Sequence, residues 1–436
     1  MRDVPSLSSA ERPCGVWAAL MVGLGSIIGG GVFATMGPAV QGAGGAAPLA
    51  FILGAVPAYV TACAYCRLAR QYPGQGGTIA YFNRAFGGGY LSGSLNLLLV
   101  VCYACIASLY AGVFGVYLAE LFHWHTTVPE KLLSCLGISL VAWLNLSSAP
   151  WTKHLQGKLN VSKFLIMGVF MAAALLSPFW NQENFGREHW RTPGSILTTG
   201  MTIFMSYQGF ELIAAIRRPM KNPTRTLPLA MGICLLVVTL YYSMMAFCTV
   251  GNVVYSEVDA ESGYLVSSVA RRFMGSGGSM LLCLGAIIAS LSALDSDVFS
   301  VSAMPEEMAD KKEMPTYFLP SHPGSRALGV LFLCSLLLIF VNLVSVVELT
   351  AISSLGFLMI YALVNIVSLK ITRRSPLSTI LGGLGCIACL SAAGVILYQL
   401  SGSPHRNLLL GISGGMLVLP FAWQGIYYLV RRSFLS

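Results

Sequence analysis

Two short stretches hold residue types that the middle of an apolar helix does not ordinarily carry. The first is Gly23-Leu24-Gly25-Ser26-Ile27-Ile28-Gly29-Gly30-Gly31-Val32-Phe33, with three consecutive glycines. The second is Phe204-Met205-Ser206-Tyr207-Gln208-Gly209-Phe210-Glu211, which sets polar groups, a glycine and a carboxylate inside an apolar run. Glycine costs about 1 kcal/mol relative to alanine in a helix interior, so three in a row favour unwinding. A broken helix exposes N–H groups on one side of the gap and C=O groups on the other. The N–H end suits a carboxylate and the C=O end an ammonium, so two such breaks together can hold a zwitterion. Close packing of small residues between helices also collects glycines, and both readings stay open at Gly29, Gly30 and Gly31.

Among the ionisable side chains inside apolar runs, four matter most: Lys163, Glu211, Asp295 and Asp297. A charged group at the bilayer centre costs roughly 3 kcal/mol on insertion scales, which makes it a functional candidate by default. Bland roles stay open for each. Lys163 can snorkel to water, the two aspartates can lie at the mouth of their helix, and Glu211 can cap the half-helix that follows it.

The elements that position these residues follow from composition. The 436 residues are 56% apolar and 10% charged, against about 25% charged for an ordinary soluble domain. Such a chain needs lipid as its solvent, and hydrocarbon admits only helices or closed barrels. The apolar runs are continuous and do not alternate, so they read as helices of about 20 residues. In order they are Val16–Val40, Ala46–Cys66, Leu91–Phe122, Leu132–Leu146, Asn160–Pro178, Ser195–Ala215, Leu227–Val250, Ser279–Val301, Ala327–Val344, Val347–Leu369, Leu377–Leu400 and Leu408–Val430. Twelve spans are expected, with both termini on one side.

Basic loops set the orientation. With a cytoplasmic N-terminus, Arg2, Arg12, Arg67, Arg70, Arg84, Lys153, Lys158, Arg217, Arg218, Lys221, Arg225, Lys311, Lys312, Arg326, Lys370, Arg373, Arg374, Arg431 and Arg432 lie inside. Only Lys131, Arg187, Arg191, Arg271, Arg272 and Arg406 lie outside. The net charge of +9 is thereby explained by topology, and nucleic acid is not expected as a partner. No cleaved leader is expected before Val16. The cysteine pairs Cys63/Cys66, Cys102/Cys105 and Cys386/Cys389 have no histidine near them in sequence and read as packing residues. H-E-x-x-H does not occur, so no enzyme, metal or cofactor is expected.

The two interrupted spans lie five spans apart. That offset is what a five-plus-five inverted repeat produces, and paired discontinuous helices point to a midplane substrate site. The chain is then one transmembrane domain with halves at 16–178 and 195–369 and two added helices at 377–430.

The residues resemble the amino acid–polyamine–organocation superfamily of transporters. Ile28-Gly29-Gly30-Gly31-Val32-Phe33 is similar to the I-G-S-G-I-F signature, and Tyr65-Cys66-Arg67-Leu68, Tyr72-Pro73-Gly74-Gln75-Gly76-Gly77, Tyr81 and Phe86-Gly87 to the stretch after the second helix. Gly209-Phe210-Glu211 and Lys221-Asn222-Pro223-Thr224-Arg225-Thr226-Leu227-Pro228 are like the G-F-E and K-N-P-x-R-x-I-P motifs. The resemblance covers roughly the first ten spans. It implies an all-α integral membrane, LeuT-like fold and secondary active transport of amino acids by alternating access, with protons as a candidate coupling ion. A substrate carboxylate would meet the amides of Gly29, Gly30 and Gly31, and its amino group the carbonyls of Ile27, Met205 and Gln208 beside Gly209. Phe204, Tyr207 and Phe210 would wall the side-chain pocket.

By the same resemblance Lys163 stands where many relatives carry a lysine in place of a sodium site. Asp297 would face it as an ion pair, with Glu211 and Asp295 in the coupling and gating region. Gly30, Arg67, Arg217, Arg218 and Ala303 depart from the family pattern. Export or exchange of an amine or cationic amino acid, and a transport-derived sensor or subunit, stay open. A neutral or modestly polar amino acid is the first expectation, and a bacterial inner membrane the expected location.

Overall fold

The computed structural model describes residues 15–72, 77–124, 126–147, 151–215, 222–372 and 376–435. The loop motif at 73–76, Arg2, Arg12, Cys14, Arg217, Arg218, Lys221, Arg373 and Arg374 lie outside them. Among the described residues the regular structure is helical, apart from one isolated bridge between Gly44 and Trp190.

The helices are α1 (Val16–Ile27), α2 (Gly31–Ala43), α3 (Ala47–Gln71), α4 (Thr78–Phe86), α5 (Tyr90–Leu121), α6 (Thr127–Leu146), α7 (Trp151–Leu175), α8 (Pro193–Thr202), α9 (Leu212–Ala215), α10 (Pro223–Asn252), α11 (Val258–Glu261), α12 (Leu265–Val301), α13 (Met304–Asp310), α14 (Ser325–Leu343), α15 (Val346–Ile371), α16 (Pro376–Ser401) and α17 (Arg406–Leu435). By length and composition, nine of the described helices can cross a membrane, or ten if the bent pair α1 and α2 is one span. The fifth and sixth expected spans are not among the nine. α7 runs over Trp151–Leu175 with Val161–Leu175 as a shorter apolar stretch, and the sixth is cut into α8, a 3-10 turn and α9.

α5 is buried on all sides, as an apolar helix with no polar stripe must be. It is ringed by α6, α12, α14, α15 and α17. On the other flank α3 packs on α8 and α10. There Gly54 and Gly200 let two backbones meet: a Cβ on Gly54 would lie 2.7 Å from the Gly200 carbonyl oxygen, and one on Gly200 2.8 Å from that of Ala50. α12 extends further towards its N-terminus than the apolar run and is bent at Gly275, whose φ of 67° suits a residue without Cβ.

At the far end of α2 the chain is closed. Gln41 Nε2 donates to Asp259 Oδ1 at 2.9 Å, the Gly44 bridge joins α2 to Trp190, and Gly37 lies directly under the Ser262 carbonyl.

The loop after α13 is anchored by a buried carboxylate. Glu313 accepts from Ser92 Oγ and Asn96 Nδ2, both at 2.7 Å, while Gln424 Nε2 donates to its carbonyl at 2.7 Å. This ties the loop to the start of α5 and to α17. Burial pushes the Glu313 carboxyl above the ordinary glutamate value, with the bonds from Ser92, Asn96 and the Gly89 backbone, and then Lys311, pulling it back. A raised folded-state value means that the folded protein holds the proton more tightly. The stabilising contribution is therefore full below the unfolded value and lost as pH rises through the folded one. Thermal melts across mildly acidic pH should show stability falling with rising pH in that window, and Glu313→Gln should remove that component.

Candidate functional site

At the first break the helix ends because Ile28 turns out of it (φ −81°, ψ 77°). Gly29 N–H then donates to the Ile27 carbonyl at 2.9 Å. The helix resumes as α2 at an angle of 54°. Both readings of the glycines hold here. A Cβ on Gly29 would lie 2.9 Å from Ala293 Cβ, and one on Gly30 would lie 2.9 Å from Ser290 Cβ, so the broken backbone rests directly on α12. No side chain caps the N-terminus of α2. The first amides of a helix have no intrahelical partner, so this end offers N–H groups to an anion.

At the second break α8 stops at Thr202 and a 3-10 turn covers Ile203–Tyr207. Ser354 of α15 spans the tightened turn. Its hydroxyl donates to the Thr202 carbonyl at 2.5 Å and accepts from Met205 N–H at 3.0 Å. Gly209 follows with φ 112°, a conformation that a residue with a Cβ rarely adopts. It touches the first break: Ser26 Oγ donates to the Gly209 carbonyl at 3.1 Å, and a Cβ on Gly209 would meet the Ser26 carbonyl at 3.1 Å.

Glu211 holds this turn in place. Oε1 accepts from Tyr103 Oη at 3.0 Å and Gln208 Nε2 at 3.1 Å. Oε2 accepts from Gly209 N–H at 3.0 Å and Tyr361 Oη at 2.8 Å. Four donors from α5, α15 and the turn itself satisfy one buried carboxylate. Glu211 therefore secures the unwound segment, a wider role than capping α9.

The expected substrate contacts are distributed unevenly. The Ile27 carbonyl already accepts from Tyr242 Oη at 3.0 Å as well as from Gly29 N–H at 2.9 Å, which engages both its lone pairs, whereas that of Met205 accepts from Gln208 N–H at 3.0 Å and keeps a second lone pair. Phe204 and Phe210 both pack on Tyr361, with ring centroids 5.7 and 5.3 Å away. Tyr207 turns elsewhere, donating to the Phe51 carbonyl at 2.7 Å and packing on Tyr242, so it joins α3 and α10.

The ionisable residues of α12 face different ways. Lys163 Nζ donates to Ser292 Oγ at 3.3 Å, and no Lys163–Asp297 ion pair is formed among the described residues. The reason is register: at 3.6 residues per turn, positions 292 and 297 point about 140° apart. Asp295 accepts from Asn145 Nδ2 of α6 at 2.9 Å. Asp297 shares its face with Ser290 and Ala293, the residues under the first break. Gly25, Ser26, Ala293 and Asp297 keep partial exposure while 27–40 are buried, so the breaks are reached from the side on which α1 begins.

Sequence reasoning missed Tyr103, Tyr242, Ser354 and Tyr361. A tyrosine at mid-span needs a partner for its hydroxyl, which is the one signal available, but the partner lies more than a hundred residues away. Removing these bonds gives graded outcomes. Glu211→Gln turns an acceptor into a donor facing donors and should cost about 1–3 kcal/mol. Tyr361→Phe removes one bond and should cost about 1 kcal/mol. Thermal unfolding of the purified protein followed by size-exclusion chromatography checks the order.

Comparison with known proteins agrees with this architecture. Residues 15–425 match the family model described as amino acid permease. An inner membrane transport protein of Escherichia coli K12, YbaT, is 25% identical over 94% of this chain and 95% of its own length. The serine/threonine exchanger SteT of Bacillus subtilis is 25% identical over 70% of each chain. The mitochondrial cationic amino acid transporter 3 of Arabidopsis thaliana is 26% identical over 81% of this chain and 61% of its own. With a multi-pass helical bundle and two interrupted helices in contact, the chain belongs to the amino acid permease family and is a membrane transporter, not an enzyme.

Proposed function

We propose that this protein carries an amino acid across the membrane by alternating access, binding it between the two helix breaks. The observation that carries the reading is the contact of Gly209 with Ser26 and Ile27, beside an uncapped helix N-terminus at Gly30 and Gly31. A substrate carboxylate then meets amide donors of α2. Its ammonium meets carbonyls of the opposing turn, Gln208 foremost, with Phe204 and Phe210 on the side-chain side.

The reading includes twelve crossings arranged as a five-plus-five inverted repeat, α1 with α2 and α8 with α9 being the discontinuous members. Both termini are placed on the cytoplasmic side by the basic loops, and the location is an inner membrane, as the name of the E. coli relative suggests for that protein. In this orientation the partial exposure of Ser26 and Asp297 corresponds to an inward-facing site closed on the outside at Gly37, Gln41 and Gly44. Lys163, buried and bonded to Ser292 of α12, is the proton carrier. Its ammonium holds α7 to α12, and deprotonation weakens that link.

Reconstitution into liposomes with a panel of radiolabelled amino acids tests this. Uptake should rise with an imposed proton gradient, and Lys163→Ala should abolish the gradient effect. Gly30→Val, which forces a side chain into Ser290, should lower uptake at least about tenfold, on the scale of 1.4 kcal/mol for each factor of ten. Uptake that requires preloaded amino acid and ignores pH would replace coupling with exchange. No movement of any amino acid by a monodisperse protein would remove the transport reading.

A further inference from the structure

We infer that Asp297 is the specificity-determining residue of this site and receives the positive side-chain group of a basic amino acid. The inference rests on the transport reading above and adds the substrate class.

The first ground is register. Ser290, Ala293 and Asp297 occupy positions i, i+3 and i+7 of α12 and so share one face. The first two lie directly under Gly30 and Gly29. Asp297 is one turn further along that face, about 6 Å beyond Ala293, in the direction from which the breaks are reached. Tyr110 also lies against Gly29 and Gly30.

The second ground is unused bonding capacity. Glu211 is filled by four donors and Asp295 is turned to Asn145. Lys163 bonds to Ser292 on another face of α12. Asp297 Oδ2 is shielded from solvent and has no hydrogen-bond partner among the described residues. A shielded carboxylate oxygen without a partner is costly unless a cation or donor arrives.

The third ground is charge matching. The two breaks neutralise the α-carboxylate and α-ammonium of any amino acid through backbone dipoles, so they do not distinguish a neutral substrate from a basic one. Asp297 adds a negative charge that a zwitterion does not answer. The four-carbon stem of lysine is commensurate with one turn of α12, whereas the side chains of alanine and serine stop short.

The test has two arms. In the first, the purified wild-type protein is melted with lysine, arginine, alanine or serine. Lysine and arginine should raise the melting temperature at concentrations where alanine and serine do not. In the second, proteoliposomes bearing wild-type, Asp297→Asn or Asp297→Glu protein take up radiolabelled lysine and alanine. Asp297→Asn should raise the KM for lysine at least about tenfold, the scale of 1.4 kcal/mol, with alanine uptake changed far less, and Asp297→Glu should retain the preference for lysine.

Stabilisation and uptake of neutral amino acids alone by the wild type would overturn the inference and leave the transport reading intact. Equal loss of every substrate in Asp297→Asn, with a flattened pH dependence, would also overturn it and make Asp297 a proton carrier. Absence of both binding and uptake in the wild type would remove the transport reading and the inference with it. The wild-type melts decide the matter even if Asp297→Asn does not fold.

Discussion

A helix can be interrupted inside a bilayer only where something else takes over its backbone partners, because hydrocarbon offers none. In this protein that task falls largely to one carboxylate. Glu211 binds the Gly209 amide freed by the break and, through Tyr103 and Tyr361, fastens the loosened turn to α5 and α15. Ser354 does the same one turn earlier, standing between Thr202 and Met205 like an inserted rung. The aromatic cluster of Phe204, Phe210 and Tyr361, the contact between the two breaks and the opening beside Asp297 all depend on the turn staying where these bonds hold it.

Much of the architecture was legible because lipid imposes a simple rule on composition. Runs of about 20 apolar residues must be helices, and several observed helices start and stop close to those runs: α5 and α14, at Tyr90–Leu121 and Ser325–Leu343, differ from theirs by one or two residues, whereas α12 begins well before its run. The breaks were legible for a related reason, since three consecutive glycines and a Gly-Phe-Glu sequence are poor helix at mid-span. What was not legible was azimuth. Lys163 was expected opposite Asp297, five residues and most of a half-turn away from its partner Ser292. Tyr207 was expected in the pocket wall and instead bonds to Phe51. Which way a side chain points around a helix axis is set by the neighbours that pack on it, and those are fixed only in three dimensions. The hydroxyl partners of Glu211 were hidden by the same ignorance, separated from it by 108 and 150 positions.

The loop after α13 obeys a parallel logic on a smaller scale. Glu313 is buried where the chain leaves the bundle and is satisfied by Ser92 and Asn96 at the start of α5, so α5 is held by one acidic side chain at its first turn and by another near its middle. Neither is paired with a lysine or arginine in a close ion pair among the described residues. Hydrogen-bond donors, not opposite charges, compensate both, which avoids burying a second ion and its desolvation cost.

The surface between the first break and α12 carries one more consequence. Gly29 and Gly30 present bare backbone to Ala293 and Ser290, two of the smallest side chains. Helices that interdigitate large side chains are locked in register, because each knob must climb out of its hole before the next position is reached. Here there are no knobs, and the seam resembles a plain bearing, two smooth faces in full contact with little to obstruct sliding or rotation. The break between α1 and α2 can thus shift against α12 without repacking large side chains, and the proposed alternating access would draw on that low steric relief.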